Sequence, residues 1–356
     1  MALYRILHRH EVSQNAAPAF DVKFTTESSD TSPSYKLVTG SSPSLSLWRA
    51  TPKLIEEASL SALSMIFTEM ARVDDAHGGL AIVGVESLGQ PEDDDDSVAT
   101  LGLDSTVKCW RLSKREEEGG TGSAENSEQN EEGESDSASF QPTHAYSLTN
   151  TLDKDNLGSS AIKISVSPDK ALLACATING LVKLFRVKAM EEIASFEVAA
   201  VSLAWSESGK VLKAGCADGN IVAFDLDEGR KKWSTRCQGS MVRCMASSKD
   251  DGLLFAGCDD KIIFVFDPLR ERTPLVASYE GHDGWIFSLK AHVDATRFAT
   301  ASADKTVKVW DMLTKKCQHT FEGGHSKAVF GLDLLGNGRR MASCGEDGLV
   351  QIYSID

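Results

Sequence analysis

The chain has 356 residues, of which 41% are hydrophobic, and a formal net charge of −15. That apolar share suits a packed core and is too large for a disordered chain, and no run approaches the ~18 to 20 uncharged apolar residues of a membrane helix. The eight cysteines form no C-x-x-C pair and no cysteine–histidine cluster at zinc spacing, so they read as structural thiols.

Read from the start, Ala2 to Leu7 alternates like a strand and precedes His10. Charges at Arg5, Arg9 and Glu11 argue against a secretory signal there, which makes the reducing interior of the cell the expected compartment. A six-residue step from a turn residue to an aromatic first appears, degenerate, as Ser42 to Trp48. It recurs as Asp104 to Trp110, Asn179 to Phe185, Asp218 to Phe224, Asp260 to Phe266, Asp304 to Trp310 and Asp347 to Tyr353. The last four intervals between these aromatics run from 39 to 44 residues, close to the ~40 to 45 of a four-stranded propeller blade. Apart from Ser42, each turn residue is Asp or Asn before a β-branched or aromatic run, as expected for a tight turn entering a strand.

These repeats predict an all-β fold, a seven-bladed β-propeller filling residues 1–356 as a single domain. The last repeat ends at residue 356 one strand short, so the N-terminal strand is expected to complete the last blade and close the ring. Two early intervals are too long. An acidic loop over 70–97, containing the run at 92–96, is assigned inside blade two. A disordered acidic insert over 113–141 is assigned between blades two and three. Outside these runs the chain is nearly neutral, which lacks the electrostatic footprint of a nucleic-acid binder.

In the sixth repeat, His282, Ser302, Asp304 and Trp310 have the types and spacing of a hydrogen-bonded peg tying a loop to the inner strands. The seventh keeps His325 and Asp347. No catalytic residue, metal or cofactor is expected, because no titratable groups converge beyond these pegs and no phosphate-cradling loop or nucleophile elbow occurs. Aligning the innermost strands places Phe20, Leu63, Ile162, Val201, Arg243, Phe287 and Phe330 at one mouth of the channel. Two residues earlier stand Pro18, Ser61, Ser160, Ala199, Met241, Trp285 and Ala328. Blades five, six, seven and one are then expected to bring Arg243, Trp285, Phe287, Phe330 and Phe20 together. Such residues either anchor a partner or plug the channel.

The segment from Asp304 to Asp311, then Cys317 to Phe321, His325, Val329 to Leu332 and Gln351 to Tyr353, resembles the WD-repeat subunit of the superkiller (Ski) complex. The order of blade aromatics and the start Tyr4 to Leu7 are similar too, whereas the acidic inserts and the Phe266 blade depart from the pattern. The resemblance implies a protein-interaction scaffold, monomeric within a hetero-complex, whose partners are the helicase and tetratricopeptide subunits that feed mRNA to the exosome. It also implies membership of the RNA polymerase II-associated factor (Paf) complex, cytoplasmic and nuclear residence, peptide docking on the top face, and no direct contact with nucleic acid or membrane. The competing reading is a WD-repeat adaptor or substrate receptor of another assembly such as a ubiquitin ligase. The Trp-Asp-x-Arg expected for one adaptor class is absent from Trp48, Trp110 and Trp310.

Overall fold

The computed structural model describes residues 4–11, 17–27, 35–54, 63–89, 97–114, 144–237, 240–270, 274–335 and 338–355. Strand β1 (Tyr4–Glu11) opens the chain. Blade one follows as β2 (Ala19–Glu27), β3 (Tyr35–Ser41), β4 (Leu45–Leu54) and β5 (Leu63–Val73), and blade two as β6 (Ile82–Ser87), β7 (Val98–Gly102), β8 (Val107–Lys114) and β9 (His144–Leu152). Blade three holds a single-turn helix, α1 (Lys154–Leu157), then β10 (Ala161–Val166), β11 (Leu172–Thr177), β12 (Leu181–Arg186) and β13 (Glu191–Glu197). Blade four is β14 (Ala200–Trp205), β15 (Val211–Cys216), β16 (Asn220–Asp225) and β17 (Arg230–Arg236). Blade five is β18 (Val242–Ser247), β19 (Leu254–Cys258), β20 (Ile263–Phe266) and β21 (Leu275–Tyr279). Blade six is β22 (Ile286–Ala291), β23 (Arg297–Ser302), β24 (Val307–Asp311) and β25 (Lys316–Phe321). Blade seven takes β26 (Val329–Leu334), β27 (Arg340–Gly345) and β28 (Leu349–Ile355) from the end of the chain and β1 from its start.

The predicted closure is therefore present. β1 lies antiparallel on β28, from Tyr4 opposite Ile355 to Glu11 opposite Leu349. The strand runs through His10, which faces Val350, rather than stopping before it. Between blades, the strands' apolar faces meet in successive cores, such as Phe298, Tyr279 and Trp310 packing against Ile286 and Phe255. Burying such surface contributes about 25 cal/mol per Å2.

The repeated turn also has a clear local cause. The Asp side chain accepts the N–H two residues on, as Asp104 does from Thr106, Asp304 from Thr306 and Asp347 from Leu349. The left-handed conformation falls on the intervening residue, with φ of 66° at Ser105, 72° at Lys305 and 73° at Gly348. Blades two, four, five, six and seven use this device, and in blade three the Thr177 hydroxyl accepts the Leu181 N–H instead, so that the hairpin from the second to the third strand of each of these blades is fixed.

Two boundaries need correction. Residues 70–97 are not a loop: they contain the end of β5 and the whole of β6, the innermost strand of blade two. The apolar run of Ile82, Val83 and Val85 makes that strand, and the acidic run at 92–96 lies outside the described residues. The insert over 113–141 does not separate blades two and three. Residues 113–114 end β8, and β9 beyond the insert pairs with β8 in the same sheet. The insert thus leaves and re-enters within blade two, and residues 115–143 lie outside those described.

Candidate functional site: an aromatic collar at the channel mouth

Each of the seven innermost strands carries one extra residue near its start, skipped in the pairing with the next strand. The skipped residues are Phe20, Val83, Ile162, Val201, Arg243, Phe287 and Phe330. A bulge of this kind bends the strand and re-aims a side chain. Six of these positions are the ones expected from the sequence. In blade two the position belongs to Val83, with Ala81 two residues before, because Leu63 lies in the outer strand of blade one.

The structure brings all five predicted partner-binding residues into one contact chain. Phe20 stacks on Phe330 at 5.4 Å, and Phe330 meets Phe287 edge-on at 5.1 Å. Phe287 meets Trp285 edge-on at 6.4 Å, and the Arg243 guanidinium lies 4.9 Å from the Trp285 ring and 5.5 Å from that of Phe287. Asp259 holds Arg243 through two charge-assisted bonds of 2.5 and 2.8 Å, fixing the guanidinium under the rings. Trp285 is 50% exposed, whereas the three phenylalanines are half-buried. A large ring held half in solvent by a stacked arginine is suited to capping an apolar side chain from elsewhere.

Beneath the collar the channel is charged. Lys290, Asp333, Lys23 and Glu86 stand at equivalent positions in blades six, seven, one and two. Lys290 pairs with Asp333 at 3.0 Å and Lys23 with Glu86 at 3.1 Å. Asp333 also accepts the N–H of Phe24 at 2.9 Å, so the alternating charges cross the seam where the ring closes. Burial opposes the charge on Lys23, yet the carboxylates of Glu86, Asp333 and Asp21 hold its pKa above the ordinary lysine value. Burial would raise Asp333, and Lys290 and Lys23 outweigh it and hold that carboxyl below the ordinary range. Among the described residues no group of three or more His, Cys, Asp or Glu side chains is placed to hold a metal.

The pegs are assembled, with one member exchanged. His282 Nδ1 meets Asp304 at 2.6 Å, but its Nε2 meets Thr300 Oγ1 at 2.7 Å, and Thr300 Oγ1 accepts the Trp310 indole N–H at 2.8 Å. Ser302, expected in this chain, only accepts the Asp304 N–H, because residues 300 and 302 are separated by a full strand pleat. One direction satisfies every atom: Trp310 donates to Thr300, Thr300 to His282, and His282 to Asp304. In blade seven His325 meets Asp347 at 2.9 Å and Ser343 at 2.7 Å, and Ser343 meets the Tyr353 hydroxyl at 2.8 Å.

A third complete peg escaped the sequence reading. In blade two His77 meets Asp104 at 2.9 Å and Thr100 at 2.8 Å, and Thr100 accepts from Trp110 at 2.9 Å. His77 lies 33 residues before Trp110 rather than 28, and the five-residue acidic run at 92–96 accounts for the difference.

These pegs set a pH dependence. Burial lowers the pKa of His77 below its ordinary 6.5, outweighing the pull of Asp104. Burial would raise Asp304 and Asp347, but hydrogen bonds outweigh it and hold both carboxyls low, from His282, Thr306 and the Asp283 N–H to Asp304 and from His325 and the Ser326 and Leu349 N–H groups to Asp347. Groups with depressed folded pKa values bind fewer protons folded than unfolded, so their stabilisation is full above the unfolded pKa and lost as pH falls. Melting temperature is expected to decline as pH drops below about 6.5, and again below about 4. Calorimetry of His77→Gln should show a smaller first decline, and an equal one in both proteins contradicts the assignment.

Comparison with known families agrees with the geometry. The WD domain, G-beta repeat, matches residues 273–311 and 315–354, and the WD40 domain of anaphase-promoting complex subunit 4 matches 164–250. The seven four-stranded blades and their pegs make this chain a WD-repeat β-propeller protein, a class that is typically a protein-interaction scaffold. It is 34% identical to Cell division control protein 4 of Saccharomyces cerevisiae over 96 residues, covering 27% of this chain and 12% of that protein. Against Angio-associated migratory cell protein of Homo sapiens it is 29% identical over 160 residues, covering 44% and 36%. Against the WD repeat domain-containing protein 83 homolog of Dictyostelium discoideum it is 23% identical over 140 residues, covering 38% and 42%. The match thus spans less than half the length of each of these relatives.

Proposed function

We propose that the chain is a non-enzymatic scaffold that captures a segment of a partner protein on the aromatic collar. The observation that carries this is the half-exposed Trp285 stacked on an Arg243 already locked by Asp259. Aromatic and arginine side chains in a desolvated patch are the usual anchors of binding energy. Following the resemblance of its C-terminal repeats, the assembly is the Ski complex, with a tetratricopeptide scaffold and a helicase as partners in exosome-mediated 3'-to-5' mRNA decay. A nuclear pool joins the Paf complex. The second reading, an adaptor or substrate receptor of another complex such as a ubiquitin ligase, has in its favour the match at 164–250 to a subunit of a different assembly.

Affinity purification of the tagged chain from cytoplasmic and nuclear extracts, with mass spectrometry, separates these readings. A helicase with a tetratricopeptide scaffold, or elongation factors, supports the first; ligase subunits support the second. Trp285→Ala with Phe330→Ala is expected to lose the partner while keeping the melting curve, since each such anchor contributes about 2 kcal/mol, roughly thirty-fold in Kd. Undiminished recovery by the double variant moves the site off the collar.

A further inference from the structure

The rim between blades four and five carries a feature the collar does not use. β17 is the outermost strand of blade four, so its far edge has no neighbouring strand in the blade. Its sequence contains Arg230, Lys231, Lys232 and Arg236 and no carboxylate. The outer strand of blade three, by contrast, carries Glu191, Glu192 and Glu197. Beside β17 a cleft of about 320 Å3 opens against the segment that follows β20, lined by Trp233, Phe266, Leu269 and Pro274, with Lys232 and Arg270 also on its wall. Leu269 is 83% exposed, although it sits at an apolar cleft.

Three of the five cations are paired: Arg230 with Glu228 at 2.8 Å, Lys232 with Asp225 at 3.1 Å and Arg270 with Asp267 at 3.0 Å. The Arg230 and Arg270 side chains are mostly exposed, and such surface pairs exchange partners at little cost. Lys231 and Arg236 have no carboxylate partner among the described residues, and Arg236 donates only to the Asp218 carbonyl. Cations on an open strand edge deter pairing with another basic strand. The same cations favour an acidic strand, because opposite charges facing each other across a strand pair are stabilising.

We propose that this rim cleft is a second docking site, which takes an extended acidic segment of a partner with one aromatic side chain seated on Trp233 and Leu269. Backbone pairing along β17 supplies affinity, and the cleft with its flanking cations supplies selectivity. The site is independent of the collar.

The test uses dye-labelled peptides of acidic residues with one central Phe, read by fluorescence anisotropy on the full chain. Binding is expected to be saturable, to weaken as salt rises, and to drop at least about tenfold when Phe is replaced by Ser. Leu269→Ser with Arg270→Glu alters exposed side chains, so its melting curve should be unchanged while binding falls by a similar factor. The Trp285→Ala, Phe330→Ala variant should bind the peptide normally, whatever happens to the collar's own partner. Equal binding by the Ser peptide, by a lysine analogue or by the Leu269, Arg270 variant overturns the proposal. So does loss of binding in the collar variant, or no saturable binding at all.

Discussion

Deleting residues 1–11 is expected to abolish or severely reduce the cooperative unfolding transition. β1 contributes seven residue pairs to β28, and their backbone hydrogen bonds form the outermost of the last blade's three ladders. At a net contribution near 1 kcal/mol for each bond, their loss costs on the order of 5 kcal/mol. That is comparable with the whole stability of an ordinary domain, about 5 to 15 kcal/mol. The bare edge is also not a surface β28 can leave in water, since Val350, Gln351, Ile352 and Tyr353 are fully buried. Chemical denaturation with circular dichroism checks this, and adding a peptide of residues 1–16 should recover part of the loss. An unchanged midpoint in the truncated chain would falsify the closure as a source of stability.

Much of this was legible because a propeller repeats its own instructions. The turn aspartates, the strand aromatics and the bulged residues recur at fixed offsets, so Phe20, Arg243, Phe287 and Phe330 could be aligned without coordinates. Blade two resisted for a physical reason. Acidic segments lengthen two of its connections without altering its strands, so counting residues led to Leu63 where β6 supplies Val83, and concealed His77. Ser302 was chosen over Thr300 because the two share a face of the strand, and only the register shows which of them lies beside the Trp310 indole and His282. The rim cleft had no signal at all, since it depends on a contact between blades that have no pattern in common there.

One rule was in the sequence and needed the register to be seen. The residue that meets the blade aromatic from the second strand is Thr39, Thr100, Thr300 or Ser343 where the aromatic is Trp48, Trp110, Trp310 or Tyr353. At the equivalent position blades three, four and five have Cys175, Ala214 and Ala256, and there the blade aromatics are Phe185, Phe224 and Phe266. An indole N–H or phenol O–H buried among strands requires a partner, and a phenyl ring requires none.

Thr300→Val is therefore expected to cost far more than an exchange of one oxygen for a methyl group. Thr300 is fully buried, and it is at once the acceptor for Trp310 and the donor to His282. Valine has the same shape, so the packing of Trp310 on Phe298 and Tyr279 survives while two buried polar atoms lose their partner. Each orphaned group costs about 1 to 3 kcal/mol, which puts the single variant near 2 to 5 kcal/mol. Trp310→Phe in the same background removes the orphaned indole donor. The double variant should thus be destabilised by less than the sum of the two single changes, with a coupling of about 1 kcal/mol or more. Denaturant midpoints for the four proteins measure that coupling. Additive effects, or a Thr300→Val protein as stable as its parent, would mean that the hydroxyl is a bystander and that the blade is held by apolar packing alone.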